Sequence, residues 1–411
     1  MKTKIIIFAI FNLLICNLLF AQSINGKLGL NGQFIIRDTN NTFLMLNQTT
    51  GELSLNRSLL LPVTTQNSQV GSIFKGTVRF LHNFSPTTSS NTFLGLNSGN
   101  FTMNGSGSQS SYNTGIGANT LSQLTTGYEN SALGQSSMVS TTTGMGNSSF
   151  GSFSLFINST GYQNCAFGTH SMYANTTGNL NSAFGTNALY GNQTGFQNTA
   201  VGHSSLELNT GNYNTALGYN SGSTITTGAN LTCIGIDAAP TTPTALNQVT
   251  LGNIFVTSLR CNVQTITSLS DARDKKNISE LSFGLDFITK LHPRQFNWDK
   301  REWYDDNISD GSKMKEEPTA GFIAQELDEL QQTSGAEWLN LVLKDNPEKW
   351  EATYGNLLPV MVKAIQELKT ENDELKDKLA KFEEMQNMLA GEIEKIKSNN
   401  NSIKEIKLTE K

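Results

Sequence analysis

Ser270 and Lys275 stand five residues apart in the run Ser270-Asp271-Ala272-Arg273-Asp274-Lys275-Lys276-Asn277-Ile278. A serine hydroxyl is a poor nucleophile at neutral pH, and a neutral lysine held beside it can take its proton. Lysine reaches that neutral form when burial or cationic neighbours lower its pKa. Arg273 and Lys276 flank Lys275 and act in that direction, while Asp271 and Asp274 oppose it. The peptide bonds within reach of such a serine are its own, Leu269–Ser270 first and Ser270–Asp271 as the alternative. By spacing alone a Ser/Lys pair in a charged loop is weak evidence, because a solvated turn produces the same pattern. Other chemistries find less to work with. His82, His170, His203 and His292 are scattered without metal-ligand spacing, so neither a metal nor a cofactor is expected. Glycoside hydrolysis needs two carboxylates at a fixed separation. Residues 91–259 hold only Glu129, Glu207 and Asp237, so a glycan hydrolase is the weakest of three readings.

The elements around the pair divide by charge. Residues 1–260 carry 8 Lys/Arg and 5 Asp/Glu, and residues 261–411 carry 21 and 29. Two kinds of structure therefore join near residue 260, and the acidic C-terminal third argues against nucleic acid as a partner. Within that third, Met361, Leu368, Leu375, Phe382, Leu389 and Ile396 recur every seven residues. Ile365, Asn372, Leu379, Gln386 and Ile393 fill the alternate places, which completes an a/d heptad seam. Polar residues at Asn372 and Gln386 cost stability and fix register and strand number. Pro359 suits the first turn of this helix, expected over 357–397.

The serine motif resembles the opening of the intramolecular chaperone of endosialidase, found at the C-termini of phage tail spikes and bacterial surface fibres. The pattern Ser-Asp-x-Arg-x-Lys-x-x-Ile is matched at each fixed position, with Asp274 where leucine is usual. Further similar blocks follow in order: Leu291-His292-Pro293-Arg294-Gln295-Phe296-Asn297-Trp298, then Gly321-Phe322-Ile323-Ala324-Gln325-Glu326, then residues 354–368. The resemblance covers roughly 266–380. It implies a domain that trimerises, guides folding of the fibre before it, and cuts itself off once. On that reading Ser270 is the nucleophile, Lys275 the base, Asp271 and Arg273 orient the site, and no external substrate is expected.

Between the ends lies a repeat, the signature of a stacked architecture. Gly117, Gly134, Gly151, Gly168, Gly185 and Gly202 are 17 residues apart, and Gly218 and Gly235 follow at 16 and 17. Asn113, Asn130, Asn147, Asn164, Asn181, Asn198 and Asn214 precede the first seven by four. The residue before each glycine is apolar (Ile116, Leu133, Phe150, Phe167, Phe184, Val201, Leu217, Ile234). The next inward position is small (Gly115, Ala132, Ser149, Ala166, Ala183, Ala200, Ala216, Cys233), and a third column is Leu121, Met138, Leu155, Met172, Leu189 and Leu206. A second glycine, usually after Thr, recurs from Gly127 to Gly228. Stretches this short, each ended by glycine, suit two strands and two tight turns per coil rather than helices. Positive φ is the expected reason for the glycines. Stacked in register, the coils pair as parallel strands about 4.8 Å apart and align the asparagines as a ladder that satisfies turn amides. Columns this strict have no reason to persist in a disordered chain. The repeats resemble the heads of trimeric bacterial adhesins, although 17 residues is a longer period than is typical there. One coil encloses little apolar volume, so stacking and the association of three chains are expected to supply the rest of the core.

The N-terminus reads as a secretory signal peptide: Lys2 and Lys4, an apolar run over 5–20, then Ala21. Cys16 follows Ile15, where lipoprotein cleavage wants a small residue. Cys165, Cys233 and Cys261 remain, an odd number that makes a poor disulfide framework and suits packing roles. The expected class is mainly β: a trimeric parallel β-solenoid or β-roll of 17-residue repeats, then an α+β chaperone domain ending in a trimeric coiled coil. The expected divisions are a signal peptide at 1–21, a β-rich cap at 22–90 and a solenoid at 91–260. A chaperone and autoprotease domain at 266–356, the helix at 357–397 and a polar tail at 398–411 follow. The expected protein is a secreted or cell-surface homotrimer without a transmembrane segment after processing. Its outside ligands would be host or environmental glycans or proteins. An uncleaved adhesin on a permanent trimeric foot is the second reading.

Overall fold

The computed structural model describes residues 33–37, 42–47, 49–55, 61, 64, 71–87, 90–262, 266 and 268–409. The expected signal peptide lies outside the described residues. The fold class is mainly β, a parallel solenoid with a 17-residue period followed by an α+β region and a long helix. The chain forms two compact units, Met1–Ser152 and Phe153–Lys411.

In the first unit, β1 (Gln33–Arg37), β2 (Thr42–Asn47) and β3 (Leu53–Leu55) make an antiparallel sheet. A hairpin of β4 (Ile73–Lys75) and β5 (Val78–His82) then pairs antiparallel with β6 (Thr92–Leu94), the irregular first coil. Solenoid pairing is parallel and in register from β6 through β7 (Thr114–Ile116) and β8 (Ser131–Leu133) to β9 (Ser148–Phe150). At its start His82 is buried between Phe93 and Phe101, with ring centroids at 4.9 and 4.6 Å. Its Nε2 bonds the Ser98 carbonyl at 2.7 Å and its Nδ1 accepts the Phe84 N–H at 3.2 Å, which sets a neutral tautomer. Burial pushes its pKa down to about 4, and the Arg79 charge adds to that.

In the second unit the same coils continue as β10 (Cys165–Phe167), β11 (Ser182–Phe184), β12 (Thr199–Val201), β13 (Thr215–Leu217), β14 (Thr232–Ile234) and β15 (Val249–Leu251). Each pairs with the next in parallel, aligning Cys165 with Ser182, Ala166 with Ala183 and Phe167 with Phe184. The asparagine ladder forms as expected. Asn181 Nδ2 donates to Asn164 Oδ1 at 3.1 Å and to the Gly195 carbonyl at 2.8 Å, and Asn181 Oδ1 accepts the Asn198 N–H at 3.0 Å. A second ladder, missed in the sequence, runs through Asn158, Asn175 and Asn192, with Nδ2–Oδ1 distances of 2.7 and 2.9 Å.

Three expectations are corrected. Each regular coil has one three-residue strand, not two. The third apolar column lies in a turn where Leu121, Met138, Leu155, Met172, Leu189 and Leu206 take positive φ with fully buried side chains. Inward and outward positions alternate along each short strand, so the small column is buried and the apolar residue beside it faces out. Phe184 is 42% exposed and Leu133 44%. Finally, only one set of glycines serves positive φ. Gly185 has φ +142°, whereas a Cβ on Gly178, of the Thr-Gly set, would lie 2.5 Å from the Gly195 carbonyl oxygen, so close approach of neighbouring coils is the reason there. Cys233 is buried and its thiol is pushed up to about 11, and Cys165 is half-buried, which fits packing roles for these two; Cys261 is exposed.

The C-terminal region has one apolar core, built from Phe287, Leu327, Ala336, Leu339, Leu341, Val342, Leu357 and Val360. These come from α1 (Leu285–Ile288), α2 (Ala324–Ser334), the segments between α2 and the last helix, and the start of that helix, α3 (Leu358–Thr409). Two ribbons complete it, β16 (Arg294–Phe296) with β17 (Thr319–Gly321) and β18 (Val342–Leu343) with β19 (Glu351–Ala352). Helix α3 extends through residues expected to form a polar tail. Its first turns belong to the domain: Val360 and Ala364 are buried, and Glu367 Oε2 accepts the Leu285 N–H at 2.6 Å. Among the described residues no helix is long and apolar enough to cross a membrane.

Candidate active site

A single 3₁₀ turn, Ala272–Asp274, brings serine and lysine together. Asp271 caps it: its Oδ1 accepts the Arg273 N–H at 2.8 Å, satisfying a donor that has no partner within so short a helix. The Arg273 side chain folds back on the same carboxylate, Nε to Oδ1 at 3.0 Å and Nη2 to Oδ2 at 2.6 Å. The Lys275 N–H bonds the Ala272 carbonyl at 3.2 Å and closes the turn. Lys275 Nζ then reaches Ser270 Oγ at 2.5 Å. With the amine neutral, the same line of atoms carries the hydroxyl proton to nitrogen.

The bonds to Arg273 hold the Asp271 carboxyl below its ordinary pKa and raise that of the guanidinium in turn. This changes the electrostatic expectation. Arg273 was expected to act on Lys275 as a free cation and Asp271 to oppose it, but each neutralises the other. Together they shape the turn. Ser270, Lys275 and every residue from 268 to 280 are exposed in the single chain, Leu269 completely. The chain by itself therefore supplies the contact between nucleophile and base but not the water exclusion that favours a neutral amine.

The other motif blocks are joined to one another within the same domain. Arg294, in the second block, pairs with Glu326 of the third at 2.6 Å, tying β16 to the start of α2. Tyr354, opening the fourth, accepts the Phe322 N–H at 3.1 Å through its hydroxyl and lies edge-on to the Phe322 ring. Downstream of the motif, Trp338 stands beside residues 275–282, 59% exposed, with its inner side against Phe283 at 5.9 Å between centroids.

The residues of the expected heptad seam all lie on α3. Met361, Ile365, Leu368, Asn372, Leu375, Leu379, Phe382, Gln386, Leu389, Ile393 and Ile396 are all exposed. From Leu368 to Asn401 no residue is even half-buried. Among the described residues no group of His, Cys, Asp and Glu could hold a metal ion.

Residues 270–335 match the family described as chaperone of endosialidase, and the match opens at Ser270. No curated protein and no solved structure matches the chain.

Proposed function

We propose that the protein is an exported, trimeric surface fibre whose C-terminal domain drives assembly and then releases itself by one cut at Ser270. The observation that carries this reading is the 2.5 Å contact of Lys275 Nζ with Ser270 Oγ, at the start of the segment that matches the chaperone family. Ser270 Oγ attacks the Leu269 carbonyl as Lys275 takes its proton. The tetrahedral adduct collapses to an ester of Leu269 on Ser270 Oγ, and the proton goes to the departing Ser270 amine. Water then hydrolyses the ester, leaving a Leu269 carboxylate and a chaperone that begins at Ser270. Nucleophile and carbonyl are neighbours in the chain, so proximity lowers the barrier without an external substrate.

Two apolar surfaces support three-chain association. One is the α3 seam, which buries nothing within its own chain beyond the first turns. The other is the outward column of the coils, with Leu133 and Phe150 in the first unit and Phe167, Phe184 and Leu217 in the second. Exposed apolar surface of this kind within each unit marks an interaction site. Three chains would cover it, and would bring neighbouring chains to the exposed Ser270–Lys275 pair. Exposure of the pair in one chain also favours a second reading, in which the domain stays attached as a trimeric foot.

The experiment is to produce wild type, Ser270→Ala and Lys275→Ala and to read intact masses. Fragments split at residue 270 from wild type alone support the cut. An intact wild type in a well-folded trimer, or the same fragments from Ser270→Ala, overturns it in favour of the foot.

A further inference from the structure

Beside the dyad is a concavity of about 500 Å³ whose rim includes Lys275 and whose apolar walls are Ile278, Leu281 and Trp338. Trp338 is 59% exposed and Ile278 74%, so two large apolar side chains border a space that their own chain leaves open. Directly before the nucleophile, Leu269 is fully exposed, and so is Ile266. Leu269 is tied to this rim by covalent geometry. Its Cα is about 3.8 Å from that of Ser270, and Ser270 Oγ is 2.5 Å from the Lys275 amine on the rim. Leu269 is therefore one residue removed from a side chain that contacts the rim.

We propose that Leu269 seats between Ile278 and Trp338 when Ser270 attacks, so that this concavity is the subsite that recognises the residue before the cut. The inference rests on the cleavage reading and adds a specificity-determining contact to it. Seating leucine against Ile278 and Trp338 fixes the backbone on the acyl side of the scissile bond and holds the Leu269 carbonyl carbon against Ser270 Oγ. It also covers the face of Lys275 that borders the space, which removes water from the base. Trp338 and Ile278 act through Leu269 and Lys275 and are positioning residues. The bonds made and broken are those of the N-to-O acyl shift and hydrolysis given above. The subsite takes an apolar side chain against Ile278, Leu281 and Trp338, and a carboxylate at 269 forfeits those apolar contacts.

Two measurements on the full chain test this. The first is the rate at which intact chains disappear, followed by mass. Leu269→Met and Trp338→Phe should cleave close to wild type, whereas Leu269→Asp, Ile278→Ser and Trp338→Ala should slow by about tenfold or more, the scale of a lost apolar subsite contact. Ile278→Ser touches an exposed side chain, so its fold is retained even if Trp338→Ala loosens Phe283. Leu269→Asp cleaving at the wild-type rate would overturn the proposal. The second is independent of cleavage: Leu269→Cys with Ile278→Cys in a Ser270→Ala, Cys261→Ser chain, oxidised and mapped by peptide mass. A disulfide between 269 and 278, within one chain or between chains, is expected, and its absence from the folded protein overturns the subsite. If the disulfide forms while wild type stays uncut, the cleavage reading fails and the seating of Leu269 stands.

Discussion

Asn181→Ala tests the solenoid at its most connected point. The Asn181 side chain is fully buried and makes four hydrogen bonds: Nδ2 to Asn164 Oδ1 and to the Gly195 carbonyl, and Oδ1 from the Asn198 backbone N–H and Nδ2. Three of the four partners keep another bond. Asn164 Oδ1 still accepts the Asn181 N–H, the Gly195 carbonyl still accepts Asn192 Nδ2, and Asn198 Nδ2 still donates to the Gly211 carbonyl. The Asn198 N–H loses its acceptor. An orphaned buried donor costs about 1–3 kcal/mol and each further bond has a net worth of about 0.5–1.5 kcal/mol. The substitution should therefore cost about 2.5–7.5 kcal/mol per chain, and more in a trimer, where it is present three times. Thr177→Ala, an exposed position of the same coil, should stay within about 0.5 kcal/mol. Guanidinium unfolding of the full chain gives the totals, and amide hydrogen exchange at Asn198 reports the broken bond directly. Its protection should fall about a hundredfold, since each 1.4 kcal/mol is a factor of ten. Equal losses in the two variants, or an Asn198 amide as protected as in wild type, would refute the ladder as a source of stability.

Gly185→Val should leave the fibre misfolded or insoluble, because φ is +142° and an added Cβ would lie 2.4 Å from the Gly202 carbonyl oxygen; a β-sheet circular-dichroism signal at wild-type yield would contradict this. His82 has its pKa lowered to about 4 in the fold, against an unfolded value near 6.5. The unfolded chain therefore binds the proton more readily: the stability from neutral His82 is complete above about pH 6.5 and is lost as pH falls towards 4. His82→Asn should flatten that part of a thermal-melting pH profile. Asn372→Ile should raise helix stability while broadening the distribution of oligomers, read by analytical ultracentrifugation. Truncation at Leu368 is the sound test of the seam. A cut at 357 would also remove Val360 and Ala364 from the domain core, whereas chains ending before Leu368 should keep that core and lose the trimer.

The period and the first asparagine ladder were legible because like residues recur at fixed spacing, and stacking makes that spacing a contact. The number of strands per coil was not. Met172 and Leu189 take positive φ, against their intrinsic preference, because burying those side chains between coils outweighs the local cost. Nothing local announces such a turn. The outward direction of Phe167 and Phe184 follows from alternation along a three-residue strand, but reading it required knowing which neighbour points in. The second ladder at Asn158, Asn175 and Asn192 left a 17-residue signal that was hidden among many other asparagines. At the site, the motif singled out Ser270 and Lys275, whose side chains are in contact. The mutual neutralisation of Asp271 and Arg273 could not be read from it, because it depends on how the 3₁₀ turn folds the arginine back. The concavity at Trp338 was invisible, since that residue is far from the motif in sequence and meets it only through the fold. The end of α3 was set too early because residues 398–401 lack apolar seam residues, and the helix runs on regardless to Thr409.

The claim at the centre of this account is that three chains assemble before any is cut. Native mass spectrometry of freshly folded wild type, sampled over time, measures it directly. The account predicts an early species of three intact chains, later replaced by trimers of residues ending at Leu269 together with chains beginning at Ser270, while Ser270→Ala stops at the intact trimer. Fragments that arise from monomers before any trimer is present, or wild-type trimers that stay intact indefinitely, would contradict it.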